Sequence, residues 1–165
     1  MTLAAEALPG MPEIRRGDDL GALLRDAAAR LPDPGLRPDD VLAVAHKAVA
    51  KAEGRVIPLS GVLPGAEARK LAAEHGKDPR LVELILAESV GLVRADAGRL
   101  IARTRHGFVC ANAGVDQSNA GGEEHAVLLP ADPDASARST TGAGPCRARR
   151  LACAPPRRGG RRSAG

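Results

Sequence analysis

The chain has 165 residues and a formal net charge of +4, a size that fits one domain or two small ones and excludes large multidomain machines. The charge is uneven, because residues 139–165 hold seven arginines and no lysine or acidic residue, whereas residues 1–138 hold 17 basic against 20 acidic side chains. No apolar run approaches the roughly 20 residues of a membrane helix, no signal-peptide pattern opens the chain, and a single aromatic residue, Phe108, excludes a surface for stacking nucleobases, so we expect a cytoplasmic protein without membrane partners.

Helix and strand signals alternate along residues 1–138, the segment that holds almost all of the large apolar residues. Asp18 is suited to cap a helix, Gly54 and Gly76 are suited to end two others, and the pair Asp78-Pro79 is suited to begin a fourth. Apolar spacing predicts strands at residues 3–8, 41–44, 55–59, 90–94 and 100–104 and helices at 18–31, 46–54, 64–75 and 78–86. This order, with a hairpin across residues 96–98, predicts a mixed α/β (α+β) domain over residues 1–138.

The composition changes abruptly after Arg138. Asp132 and Pro133 are suited to begin a helix, but the residues that follow are Ser, Thr and Gly, and 20 of the last 27 residues are Arg, Gly, Pro or Ala. We therefore expect residues 139–165 to be a disordered basic tail. Out-of-frame translation of a GC-rich gene is the favoured origin; a genuine tail that binds nucleic acid and a dispensable natural extension are the alternatives.

Common catalytic and nucleotide-binding motifs are absent from the sequence. It contains no GxxxxGK[ST] loop, no GxGxxG that opens a helix, no HExxH and no GxSxG. A P-loop or Rossmann nucleotide site is therefore not expected, and neither is a zinc protease or serine hydrolase site.

Two lysines, Lys47 and Lys51, are one turn apart on the predicted helix at residues 46–54. Like charges at this spacing repel each other unless an anion lies between them. A triphosphate is one such anion, and two solvated lysines on an exposed face are the alternative.

The loop after the strand at residues 100–104 is rich in small residues and carries a second cluster of polar residues. Gly107 and Gly114 allow close backbone approach, and the loop brings together Asp116, Ser118 and Asn119. One carboxylate with hydroxyl and amide neighbours suits Mg²⁺ or Mn²⁺, which take their other ligands from water and phosphates. The alternative is an Asx turn, in which Asp116 only caps local backbone.

The same residues carry a family resemblance. Residues 10–20, 46–55, 111–119 and 128–136, read in this order, resemble the N-terminal half of the coenzyme F420:L-glutamate ligases. The resemblance covers about residues 5–138 and does not extend into the Arg-rich tail. It implies a mixed α/β fold that works as an intertwined homodimer, and a GTP-dependent enzyme that adds L-glutamate to the coenzyme F420 precursor, F420-0.

The resemblance also implies which residues bind the ligands. Asp116 would bind a divalent metal, Mg²⁺ or Mn²⁺, and K⁺ is a further candidate ion. His46 lies where the family often has serine. The residues implied to contact the nucleotide are Met11, Pro12, Glu13, Ile14, His46, Lys51 and Asn119.

The implied chemistry transfers the γ-phosphoryl group of GTP to a carboxylate, and the glutamate amine then attacks the acyl phosphate. Family members continue with a strand that ends in an Asp-Thr pair, which supplies further metal ligands, and residues 139–165 contain no Asp. We therefore expect this chain to be truncated and inactive. The alternatives are a pseudoenzyme kept for dimerisation and a non-enzymatic module that binds anions or nucleic acid through the Arg-rich tail.

Overall fold

A computed structural model describes residues 5–32, 40–96, 98–118, 120, 122 and 124–141. The described residues form five α-helices and five β-strands, which confirms the mixed fold class. The helices are α1 (Leu20–Ala28), α2 (His46–Ala52), α3 (Ala66–His75), α4 (Pro79–Ala87) and α5 (Pro133–Thr141), and the strands are β1 (Val56–Pro58), β2 (Ser89–Asp96), β3 (Arg99–Thr104), β4 (Val109–Ala111) and β5 (His125–Val127).

The strands form two small antiparallel sheets. One has the order β2-β3-β4, and its hairpin pairs Asp96 with Arg99, as the sequence predicts. The other joins β1 to β5, with Val56 opposite Val127, and so connects two segments that are far apart in sequence. This second sheet brings α2 next to the loop that precedes β5.

Helix ends follow the capping chemistry of the sequence, with one correction. Asp78 accepts a hydrogen bond from the backbone of Arg80, and Gly76 ends α3 in the left-handed conformation. For α1 the cap is Asp19, not the predicted Asp18, because the Asp18 carboxylate accepts a hydrogen bond from the Arg15 amide instead.

Two apolar clusters form most of the core. The larger packs α3, α4 and the three-stranded sheet around the fully buried Leu59, Val82, Ile85 and Leu100. The smaller joins α1 and α2 and includes Ile14. Burial of a side chain of this size contributes roughly 1.5 to 3 kcal/mol, so these clusters fix the position of α2 and of the chain around residue 14.

Some predicted boundaries are wrong. Residues 41–44 have no regular secondary structure instead of forming a buried strand, and Val41 is 76% exposed because this segment pairs with no strand in the described residues. Residues 5–8 are likewise not a strand, and residues 1–4 lie outside the described ranges.

Helix α5 ends at Thr141, three residues beyond the predicted boundary at Arg138. Asp132 caps its first turn through the Ala135 amide, and the hydroxyl of Thr140 donates to the Ser136 carbonyl, so hydroxyl side chains satisfy backbone groups in the last turn. The rest of the predicted tail, residues 142–165, lies outside the described residues. Within those that are described, even the longest helix, α3, has ten residues, and none could cross a membrane.

Candidate functional site

Helix α2 presents its charged residues on one side because the other side is packed. Val49 and Ala50 are buried, which leaves Lys47 and Lys51 one turn apart and pointing away from the core. The structure shows that the lysine side chains are only 23% and 18% exposed. The alternative of two solvated lysines is therefore wrong, since each ammonium group has a carboxylate partner.

The loop that carries Asp116 is held by backbone geometry and packing. Asn112, Ala113 and Gly114 all have positive φ angles, of 52°, 51° and 76°, which residues with side chains rarely adopt. A Cβ atom on Gly114 would lie 2.7 Å from Cγ of Leu129, so only glycine fits this close approach. Two backbone hydrogen bonds then fix Asp116 beside Val127 of β5.

The Asp116 carboxylate has a different partner on each oxygen. Oδ1 accepts a hydrogen bond of 2.8 Å from the Ser118 amide, which is the predicted Asx turn. Oδ2 lies 2.6 Å from Nζ of Lys47 and accepts a 2.9 Å hydrogen bond from Oγ of Ser118. The Asx turn and the ion pair therefore coexist, and the turn aims Oδ2 at α2.

A second ion pair lies at the other end of α2. Nζ of Lys51 is 2.5 Å from Oε1 of Glu13, a carboxylate that is 73% exposed. Together with Ile14 these residues line an open cleft of about 320 Å³, whose further walls are Arg15, Arg16, Gly54, Val56 and Ala120. This volume is at the lower end of the range of ligand pockets, about 300 to 1,000 Å³.

The charges at this site shift three pKa values. The hydrogen bond from Lys51 lowers the pKa of Glu13. Burial raises the pKa of Asp116, but the hydrogen bonds from Lys47 and Ser118 outweigh burial, so the net shift is downward. Burial and the neighbouring Lys47 lower the pKa of His46, although the charge of Asp116 opposes this. The site therefore holds two ionised carboxylates and an imidazole that is neutral at pH 7.

The structure brings three of the seven predicted nucleotide-binding residues together in one cleft. Glu13, Ile14 and Lys51 line the cleft, while Pro12 is exposed and Met11 packs against the smaller core cluster. His46 begins α2, close enough to Asp116 to sense its charge; its Nε2 atom is buried and has no hydrogen-bond partner within the described part of the chain. Asn119 lies outside the described residues, so its contact with the nucleotide stays a prediction.

Sequence reasoning missed two features of the site. It placed Lys47 beside Lys51 but did not predict that Lys47 contacts Asp116. The two residues are 69 positions apart, and no local sequence pattern encodes a contact over that distance. It also missed Arg15 and Arg16, which follow the predicted residues 11–14 directly and add positive charge to the cleft.

A hard cation would find oxygen ligands at Asp116. The described residues contain no group of three or more His, Cys, Asp or Glu side chains arranged to hold a metal. The Asp116 carboxylate and the Ser118 hydroxyl nevertheless form an oxygen pair of the type that suits Mg²⁺ or Mn²⁺, ions that bind through one or two carboxylates and complete their shell with water and phosphate oxygens.

A second charged cluster lies where α4 and β3 end, next to the start of β1, and was not predicted. Glu88, just after α4, has a side chain that is 9% exposed and accepts hydrogen bonds of 2.8 Å from Arg55 and 2.9 Å from Arg105. Arg55 also donates to the Leu129 carbonyl, at 3.0 Å. The cluster ties β1, the end of α4 and the turn after β3 together, and we call it the Glu88 cluster.

Comparison with known proteins gives a consistent result. The family model described as F420-0:Gamma-glutamyl ligase matches residues 10–142. Three proteins named coenzyme F420:L-glutamate ligase are similar to this chain, each over about half of its own length. The relative from Methanopyrus kandleri is 46% identical over 83% of this chain and 52% of the relative. The relative from Methanothermobacter thermautotrophicus is 42% identical over 83% of this chain and 54% of the relative. The relative from Methanocaldococcus jannaschii is 36% identical over 77% of this chain and 48% of the relative.

Proposed function

The chain belongs to the F420-0:gamma-glutamyl ligase family, and we propose that it serves the ligation of L-glutamate to F420-0 in coenzyme F420 biosynthesis, with GTP as the energy source. The coenzyme and the amino acid are those in the names of the similar proteins. The chain spans about half the length of these relatives, so the activity of the whole enzyme is part of the proposal.

One observation supports the nucleotide part most directly. Glu13 and Ile14 are neighbours in the sequence, Lys51 lies 38 positions after Glu13, and all three line the same cleft. The family resemblance assigns the same three residues to GTP. The cleft also contains Arg15 and Arg16, so four cations, with Lys47 nearby, are available to neutralise an anion as large as a triphosphate.

The proposed reaction makes an amide from a carboxylate, which needs a leaving group. The substrate carboxylate attacks the γ-phosphorus of GTP, the bond between the β-phosphate oxygen and the γ-phosphorus breaks, and GDP leaves. The glutamate amine then attacks the acyl phosphate, loses a proton and releases inorganic phosphate. Positioning and charge neutralisation supply most of the catalysis in such transfers.

The described residues would contribute to this chemistry by holding charges in place. Lys51 would bind a phosphate oxygen after leaving Glu13, and the neutral His46 would contact the nucleotide without adding charge. Asp116 and the Ser118 hydroxyl would hold a divalent ion, Mg²⁺ or Mn²⁺, which neutralises phosphate charge when bound. The oxygen chemistry of this pair fits such an ion.

We also propose that the chain forms a homodimer, as the resemblance implies. The two outer strands of the three-stranded sheet expose Val90, Val93 and Val109 by 63%, 55% and 55%. Exposed apolar residues grouped on one sheet are typical of a surface that a partner covers. Light scattering of the wild type and of V93K tests this, because a dimer through this sheet would dissociate in the variant.

The experiment that tests the proposed function measures ligand binding and product together. Calorimetry with GTP and Mn²⁺ is run on the full chain and on D116N, with D134N as a matched control because Asp134 is an exposed carboxylate in the first turn of α5. Mass spectrometry of F420-0 incubated with glutamate, GTP and Mn²⁺ follows the addition of a glutamyl group.

We expect GTP binding that depends on Mn²⁺ in the wild type and in D134N, and its loss in D116N. Binding of GTP that does not change in D116N would contradict the role of Asp116. Absence of GTP binding, combined with RNA binding that falls steeply with salt and is lost on removing residues 142–165, would favour the non-enzymatic alternative.

A further inference from the structure

We propose that Lys47 is the resident counter-ion of Asp116, that its ammonium group lies where a divalent cation binds, and that it gives up the carboxylate when that cation arrives. The inference rests on the proposed function, because it assumes a metal at Asp116. It adds a residue that the family resemblance does not assign to any ligand.

The geometry around Lys47 carries the inference. Its Nζ atom lies 2.6 Å from Oδ2 of Asp116, 2.6 Å from Oγ of Ser118 and 3.3 Å from the Ser118 carbonyl oxygen. A carboxylate, a hydroxyl and a carbonyl oxygen thus converge on one positive group. These oxygen types are the ligands that Mg²⁺ and Mn²⁺ use, so the ammonium group lies at a position whose surrounding oxygens also suit a hard cation.

The ammonium group and a divalent ion cannot occupy this position at the same time. Both would lie within hydrogen-bond distance of Oδ2, and like charges at so short a distance repel strongly. The loop cannot move away to make room, because the Asp116 backbone is hydrogen-bonded to Val127 on both its N–H and its C=O. The lysine can move, since its four-carbon stem is flexible and part of its side chain is exposed.

The second lysine of α2 provides a contrast within the same helix. Lys51 pairs with Glu13 and makes no contact with Asp116 among the bonds of the described residues. A released Lys47 would lie one helical turn from it, on the same side of α2. We therefore infer that Lys47 has two successive partners, first Asp116 and then the phosphates of a metal-bound nucleotide.

The proposal predicts effects of opposite sign on two ligands. In K47M the carboxylate of Asp116 has lost its competing cation, so binding of Mn²⁺ alone should tighten, by up to about fivefold if the exposed pair has an ordinary strength. Binding of GTP with Mn²⁺ should weaken, because the second partner of Lys47 has been removed. A lysine that only holds the loop in shape would weaken both.

The test is a calorimetric titration of the full chain with MnCl₂ and then with GTP and Mn²⁺. K51M is the matched control, and it should bind Mn²⁺ alone like the wild type but bind GTP with Mn²⁺ less tightly. K47R keeps the charge and should bind Mn²⁺ no more tightly than the wild type. Circular dichroism checks that each variant is folded.

The outcomes separate this inference from the proposed function. Equal or weaker Mn²⁺ binding by K47M, together with its loss in D116N, overturns the exchange but leaves the metal at Asp116. Mn²⁺ binding that is undiminished in D116N overturns both, and so does a failure of every variant, K47M included, to bind Mn²⁺.

Discussion

Two groups of ion pairs in this molecule both join carboxylates to cationic side chains, but their carboxylates differ in exposure to solvent. In the Glu88 cluster a carboxylate that is 9% exposed receives two arginines. At α2 the carboxylates of Glu13 and Asp116 are 73% and 42% exposed, and each receives one lysine. The buried Glu88 cluster is therefore suited to hold secondary structure elements together. The exposed ion pairs at α2 can break at low cost in free energy and are suited to receive a ligand.

The choice of cation agrees with this difference. Arginine presents a rigid planar fork that can bind two groups, and Arg55 does so, through Glu88 and the Leu129 carbonyl. Lysine is a point charge on a flexible stem, and its hydrogen bonds can be redirected easily. Variants at the two places should accordingly change stability at the Glu88 cluster and ligand binding at α2.

The largest expected effect is that of E88A. It removes the carboxylate that accepts hydrogen bonds from Arg55 and Arg105. A hydrogen bond to a charged group contributes about 1.5 kcal/mol or more, so we expect a loss of roughly 3 kcal/mol in the free energy of unfolding. Urea unfolding measures this change, with E74A, an exposed position on α3, as a control that should stay within about 0.5 kcal/mol of the wild type. A loss as small as that of the control would remove the distinction between the two regions.

The next effect is that of G114A, which tests whether packing holds the Asp116 loop. The new Cβ would lie 2.7 Å from Leu129 at a φ of 76°, so we expect a loss of about 2 kcal/mol in the free energy of unfolding. G61A is the control, because a Cβ at Gly61 has nothing within 4 Å. If G114A were as stable as G61A, the lysine pair would have to be what holds the loop.

A smaller effect is expected for D116N. The side chains of the ion pair between Asp116 and Lys47 are 42% and 23% exposed, and a pair that solvent reaches in this way contributes no more than about 1 kcal/mol. Thermal unfolding should therefore be close to that of the wild type, even though Mn²⁺ binding is lost. A loss of stability as large as that of E88A would show that the α2 pairs are structural.

The smallest effect concerns acid and Asp78. The hydrogen bonds from Arg80 hold the pKa of Asp78 below 3.8, so the folded state favours the ionised form. This contribution is fully present above pH 3.8 and is lost as the pH falls through the folded-state pKa. In D78N, which keeps a good helix cap, urea unfolding should show a small deficit at pH 7 that vanishes in strong acid. A deficit that persists there would show that the cap, and not the charge, is responsible.

The sequence predicts well those features that depend on neighbours in the chain. The β2–β3 hairpin follows from two apolar runs around Gly98, and α4 begins at the Asp78-Pro79 pair that signals a helix start. Residues 41–44 show the limit of this reasoning. Three apolar residues resemble a buried strand, but a strand also needs a partner, and the sequence does not show whether one is available.

The site divides in the same way. The helical spacing of Lys47 and Lys51, and the Asx turn from Asp116 to Ser118, can be read from nearby residues. The contact of Lys51 with Glu13, 38 positions away, and the Glu88 cluster depend on tertiary structure. Among these residues Glu13 was found through the family resemblance, and Glu88 was not found at all.

The central claim is that α2 and the Asp116 loop receive the nucleotide while the Glu88 cluster does not. Amide chemical shifts of the ¹⁵N-labelled chain, recorded during a titration with GTP and Mg²⁺, test both halves at once. The account predicts shifts at Glu13, Lys47, Lys51 and Ser118, with Glu88 and Arg105 unchanged. Shifts centred on Glu88 and Arg105, or no shifts at saturating GTP and Mg²⁺, would contradict it.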